Sequence, residues 1–257
     1  MQIMKKTIHR AATRGYADHG WLRTHHTFSF AGYYDPGRIH FGALRVLNDD
    51  TVAPGEGFGT HPHENMEIVS LVLSGALRHG DSMGNMQLLK PGELQVMTAG
   101  TGITHSEMNA SREEPVKFLQ IWVITDAEGH TPRYTQIELA PAKRNEFRLI
   151  VAPEGRGGEH VGWIHQTAWF HTLDLDAGRE ARYRMNLHGN GAYVFVIEGT
   201  AEVAGEPLGP RDGMGISDAD GFLIRAFENA RLLVIEVPMI QNSVVSPNNF
   251  RFILPVC

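Results

Sequence analysis

Leu71-Val-Leu-Ser-Gly-Ala-Leu77 has a counterpart far downstream in Phe195-Val-Ile-Glu-Gly-Thr-Ala201, an apolar run broken in both places by a glycine, Gly75 and Gly199. A second turn follows each, Lys90-Pro-Gly-Glu93 and Arg211-Asp-Gly-Met214, and a last apolar run closes each half, Phe118–Ile124 and Leu232–Val237. Short runs rich in β-branched and aromatic residues, bounded by turn formers, read as strands. Ala43-Leu-Arg-Val-Leu47, Met66-Glu-Ile-Val-Ser-Leu-Val-Leu73 and Ala192-Tyr-Val-Phe-Val-Ile197 are of the same kind. No long stretch carries a helical period. An order of strands and turns that occurs twice predicts one topology built twice. The expectation is an all-β chain of two tandem β-barrels of jelly-roll type. The first spans 1–135 and the second 136–237, with a loose boundary near Pro132–Phe147; a segment of unassigned role, 238–257, follows.

Bulk properties bound the function. With 257 residues, 42% of them hydrophobic, the chain can bury two cores. A formal charge of -6 without a basic cluster argues against a nucleic-acid surface. No apolar run reaches the length of a membrane span, and the first ten residues lack the apolar stretch of a signal peptide, so a cytoplasmic location is expected. A single cysteine, Cys257, permits no intrachain disulfide. The 14 histidines are informative only through their spacing.

Two segments have that spacing. The first is Gly55-Glu-Gly-Phe-Gly-Thr-His61-Pro-His63-Glu-Asn-Met-Glu67 and the second Gly100-Thr-Gly-Ile-Thr-His105-Ser-Glu107-Met-Asn109. Residues two apart on a strand share a face at about 6.6 Å, close enough to converge on one ion. Taken singly, each histidine would be a polar strand residue satisfied by hydrogen bonds. Two pairs on neighbouring strands instead offer three imidazoles and a carboxylate, a donor set for iron, nickel, copper or zinc. Glu67 has the strand parity of His63 and competes with Glu107 for the acidic place; Glu107 is preferred, with Glu67 as a supporting contact and Glu64 solvated. Phe58, Met66, Met97 and Met108 could line a pocket for a flat ligand, but ordinary barrel core is the favoured reading. His160, His165, His171 and His188 lack paired spacing and read as structural or surface residues.

These motifs resemble the two cupin signatures, a glycine followed after five residues by His-x-His, and Gly-x-x-His-x-x-x-Asn, here Gly102, His105 and Asn109. Two departures, an acidic residue, Glu67, with only three residues between it and His63, and Gly100 where proline is usual, resemble the pirin branch, in which the acidic ligand comes from the second motif. His26-Thr-Phe-Ser-Phe-Ala-Gly-Tyr-Tyr-Asp-Pro36, Leu44-Arg-Val-Leu-Asn-Asp-Asp50, Asp81-Ser-Met-Gly-Asn85 and Thr131-Pro-Arg-Tyr134 also look like bacterial pirin segments, and the likeness spans 4–237. The resemblance implies a bicupin with one divalent metal per chain on His61, His63, His105 and Glu107. Iron is the first choice; copper, nickel, cobalt and zinc are alternatives. It further implies a quercetin 2,3-dioxygenase-like activity on a small aromatic substrate and dioxygen, opening the central flavonol ring with release of carbon monoxide. Glu107 would be the catalytic base. The alternative is a non-enzymatic, metal-dependent regulator that binds a protein partner. A monomer is expected.

The repeat predicts an asymmetry. Carried over from Gly75 and Gly92, the ligand offsets fall on Met185, Leu187, Ala226 and Glu228, so the second barrel is expected to hold no metal.

Overall fold

A computed structural model describes residues 3–240. It is built of strands; among the described residues the only helical element is one 3-10 turn, Ala11–Thr13. Each half is a barrel made from a seven-stranded and a four-stranded sheet. In the first barrel the large sheet runs Arg133–Glu138, Glu93–Thr98, Met66–Ser74, Val116–Ile124, Leu44–Val52, Leu22–His26, Gly15–Asp18, and the small one Gly57–His63, Ile103–Asn109, Leu77–Asp81, Met86–Leu89. The second barrel repeats the plan around Asn190–Glu198, Ala230–Pro238 and Trp169–Leu175, with Glu180–Arg184 and Gly221–Ala226 in its small sheet.

The chain crosses between barrels in a way that a division at residue 135 does not anticipate. Strand Lys5–His9 pairs with Gly213–Ser217, so the first described strand belongs to the second barrel's sheet. The first barrel's sheet runs on to Glu138, whose neighbour is Glu93. Of the segment 238–257, Pro238 ends a strand and Ile240 packs on the core; residues 241–257 lie outside the described residues.

The central strands are apolar throughout because both of their faces are buried, unlike the alternating strands of a one-sided sheet. In Met66–Ser74, Ile68 and Val72 point into the first barrel while Val69 and Leu71 point at the second. In Val116–Ile124, Phe118 and Trp122 point inward and Leu119, Ile121 and Val123 outward. The second barrel answers with Tyr193, Phe195, Leu233 and Ile235 in the same cluster, so one core joins the two large sheets face to face.

The barrel interiors differ in kind. The second is filled by Ala192, Val194, Val196, Met214, Ile216, Phe222, Ile224 and Val234. The first has polar residues at corresponding places: Ser70 where the second has Val194, Gln95 for Met214, and Gln120 for Val234. All three are buried. Burying such groups is costly unless they are paired, so the polar centre has to be satisfied from within.

Candidate metal centre

Strands Gly57–His63 and Ile103–Asn109 pair antiparallel, with His61 opposite His105 and a bulge between His105 and Glu107. Gly57 allows this bulge. A Cβ there would lie 2.3 Å from the Glu107 carbonyl oxygen and 2.5 Å from Met108 Cα, too close for any other residue. The pairing brings three imidazoles together, with ring centroids 4.8 Å apart for His61–His63, 4.4 Å for His61–His105 and 4.8 Å for His63–His105. One ligand atom from each lies within 4.8 Å of the others.

Local contacts prepare these rings for a cation. His61 Nδ1 donates to the Gly59 carbonyl at 2.7 Å, which fixes the tautomer and leaves Nε2 its lone pair. Neither His105 ring nitrogen has a hydrogen-bond partner, although the residue is 1% exposed. A buried donor or acceptor left unmet costs about 1–3 kcal/mol, and an ion at the centre of the cluster supplies the missing partner. Burial first, then the neighbouring imidazoles, hold His105 well below the usual histidine range; burial and then His61 take His63 down to about 3. Neutral rings are the form that binds metal. These residues fit a divalent ion on their own evidence.

Glu107 lies on the same strand but outside the triad's cluster. Gln120 Nε2 donates to its Oε2 at 2.8 Å, while Ser70 Oγ and Gln95 Nε2 lie 3.2 and 3.5 Å from Oε1. Burial pushes its pKa up to about 7 against these hydrogen bonds. Thus Ser70, Gln95 and Gln120, which the sequence reading did not single out, cradle the carboxylate. Their signal was a polar residue inside an apolar strand run.

Glu67 lies elsewhere. Strand Gly57–His63 ends at His63, Asn65 turns the chain with φ 47°, and Glu67 belongs to the next strand, in the other sheet. Parity does not carry across a turn, so Glu67 accepts from Thr98 Oγ1 at 2.9 Å and does not join the histidines. Asn109 braces the fold, its Nδ2 lying 3.1, 3.1 and 2.9 Å from the carbonyls of Val52, Ala53 and Glu114. Met66 and Met97 are core, Phe58 packs against Trp21 at the edge of the core, and the sulfur of Met108 faces Gly57. His79, also unanticipated, is buried, donates Nε2–H to Asp81 Oδ2 at 3.0 Å, and stacks on Tyr134. Trp122 meets His63 edge to face at 4.8 Å, and Phe30 meets Trp122 at 5.4 Å.

In the second barrel the equivalents of the four candidate ligands are Tyr183, Met185, Phe222 and Ile224. Two differ from the offset expectation because the second barrel's strand-turn-strand arm is shorter. Asn109 lies fourteen residues past Gln95 but its counterpart Ala226 only twelve past Met214, and the turn residue corresponding to Gly92 is Arg211, not Gly213, which shifts the offset by two more. The other two, on the His61–His63 side, shift by two residues because Tyr183 faces Phe222 as His61 faces His105. The asymmetry itself holds: none of the four is an imidazole or a carboxylate.

Two barrels of this topology, one with a histidine cluster and the other filled with apolar side chains, define a metal-binding protein of the cupin type. The chain belongs to the pirin family. Residues 7–123 match the Pirin model, and 149–237 match that of the quercetinase C-terminal cupin domain. It is similar to quercetin 2,3-dioxygenase of Escherichia coli K12, with 38% identity over 231 residues, 90% of this chain and 98% of that one. The crystal structure of the bacterial pirin YhhW from Escherichia coli in complex with nickel(II) superposes with a TM-score of 0.86 at 37% identity, covering 92% of this chain and 100% of that one. A quercetin 2,3-dioxygenase from Acinetobacter baumannii shares the fold, with a TM-score of 0.75 at 21% identity over 91% of this chain and 86% of its own. Among the described residues no helix is long and apolar enough to cross a membrane.

Proposed function

We propose that this protein is a metal-dependent dioxygenase that opens the central ring of flavonols such as quercetin, with His61, His63, His105 and Glu107 holding one divalent ion. Iron is the first choice among iron, copper, nickel, cobalt and zinc, since dioxygen chemistry favours a redox-active ion. The observation that carries the reading is the convergence of three imidazoles beside a carboxylate sealed in the same barrel. The quercetin dioxygenase relative supports the choice of reaction. When bound, such an ion supplies positive charge for an anionic oxygen and a place for dioxygen beside it.

The chain's own residues do the rest. His61 is oriented by Gly59 and His105 is held in a buried site, so the ring lone pairs need little rearrangement. Glu107, on the strand of His105, takes the proton of the flavonol 3-hydroxyl onto a carboxylate oxygen. Gln120, Ser70 and Gln95 keep that carboxylate in place through the transfer. Trp122, beside His63, and Phe30, edge to face with Trp122, offer apolar ring surface for an aromatic substrate. Iron-loaded protein should consume oxygen and bleach quercetin together. Metal-loaded protein that does neither, while binding its ion, removes this activity for this substrate.

A further inference from the structure

A second group of metal-type ligands lies away from the barrel interior. Asp126 and His130 stand on the segment that leaves the first barrel after strand Val116–Ile124; His165 follows strand Gly162–Ile164 of the second. The sequence offers no spacing that joins them. The fold stacks the His130 and His165 rings at 3.7 Å between centroids, 6° from parallel, and places Asp126 Oδ1 2.8 Å from His130 Nε2. One ligand atom from each of the three lies within 4.8 Å of the others.

We propose that Asp126, His130 and His165 form a second divalent metal site, suited to zinc, that ties the two barrels together. Two imidazoles and one carboxylate, with a fourth position left to water, are a common zinc set. The backbone beneath the site is already fixed. Asp126 N donates to the His165 carbonyl at 2.8 Å, Thr101 N to the His130 carbonyl at 2.9 Å, and Gly129 N to Asn65 Oδ1 at 2.8 Å. Binding then costs little ordering of the chain. The stacked rings have to fan apart to aim both lone pairs at one ion, and their outer edges have room because both residues are only partly buried. They border a groove of about 360 Å³ shared with Arg133 and Trp163, where the fourth ligand would sit. Zinc takes the Nε2 lone pair of the neutral His130 ring, and the proton now held by Asp126 passes to Nδ1 of the same ring.

The test isolates this site from the barrel centre. Chelator-stripped protein carrying His61→Ala and His63→Ala is titrated with zinc by calorimetry, and its thermal midpoint is read with and without zinc. One equivalent bound and a raised midpoint are expected. Adding His165→Ala or, separately, His130→Ala should take the stoichiometry from one to none. Each changes a partly exposed side chain, and an unchanged circular dichroism spectrum verifies the fold. The proposal is overturned if the His61→Ala, His63→Ala protein binds no zinc, or if its zinc survives both further substitutions. Neither result bears on the barrel centre.

Discussion

Glu107 and Glu67 are both buried carboxylates with pKa values raised to about 7, chiefly by burial, yet their neighbours give them different work. Glu107 faces the barrel interior, on the strand of His105; Glu67 accepts from Thr98 and is flanked by Arg133 and His130. Glu107→Gln is therefore expected to weaken metal binding and abolish turnover, and Glu67→Gln to leave metal content near that of the parent. Elemental analysis of the two purified variants checks this; the reverse pattern would transfer the acidic role to Glu67. His61→Ala should lose most of the bound metal while the barrel stays folded, read by metal content alongside circular dichroism. Gln120 binds no ion in this scheme but holds Glu107 at 2.8 Å. Gln120→Ala should cost about 10–100-fold in metal affinity or turnover, the usual range for residues that orient ligands. The three histidines were legible in the sequence because strand geometry turns i, i+2 spacing into a shared face. The cradle of Ser70, Gln95 and Gln120 was not, because it draws on three strands whose alignment only the sheet register sets.

At the scale of elements, the continuous apolar runs turn out to be two-faced strands, with inner side chains serving one barrel and outer ones the seam between barrels. Ile121 is fully buried in that seam. Ile121→Ala should destabilise the protein by about 2–5 kcal/mol with the metal ligands untouched, as denaturant unfolding beside metal titration would reveal. The strand runs, their turns and the twofold repeat could be read from composition and punctuation. The return of Lys5–His9 to the second barrel could not, since an edge strand with three exposed residues, a half-buried one and a single buried one carries little pattern. The contact between the Asp126–Pro132 loop and the turn at Gly100 was hidden for a related reason. Gly100 has φ +49°, and a Cβ on it would sit 2.0 Å from the His130 carbonyl oxygen. A proline, fixed near φ -65°, cannot stand there, which gives a physical reason for the departure from the general cupin pattern.

Across the whole molecule, the burial that prepares the site also sets a pH dependence. His9 and His171, remote from the centre, are lowered to about 4 by burial, and His63 to about 3; burial holds His26 and His105 down as well. A histidine whose folded pKa lies below its unfolded value penalises the fold increasingly as pH falls from about 6.5 toward the folded value, because the unfolded chain takes up the proton first. Asp50, Glu67 and Glu107, raised to about 7, act in the opposite sense: between the ordinary carboxylate range and pH 7 they are protonated in the folded chain and ionised in the unfolded one. Burial lowers His25, His61, His79 and His165 too, so nine histidines oppose three carboxylates, the unfolded chain carries the excess of protons, and each proton of excess is worth about 1.4 kcal/mol per pH unit. Chelator-treated protein should therefore lose stability as pH is lowered from 6.5 to 4.5, measured by thermal midpoint at constant ionic strength. The fall should be steeper with metal present, because protons then also compete with the ion for His61, His63 and His105. A midpoint that rises on acidification would mean that the carboxylates outweigh the histidines, and that the first barrel is held together by its buried acids more than it is strained by its buried rings.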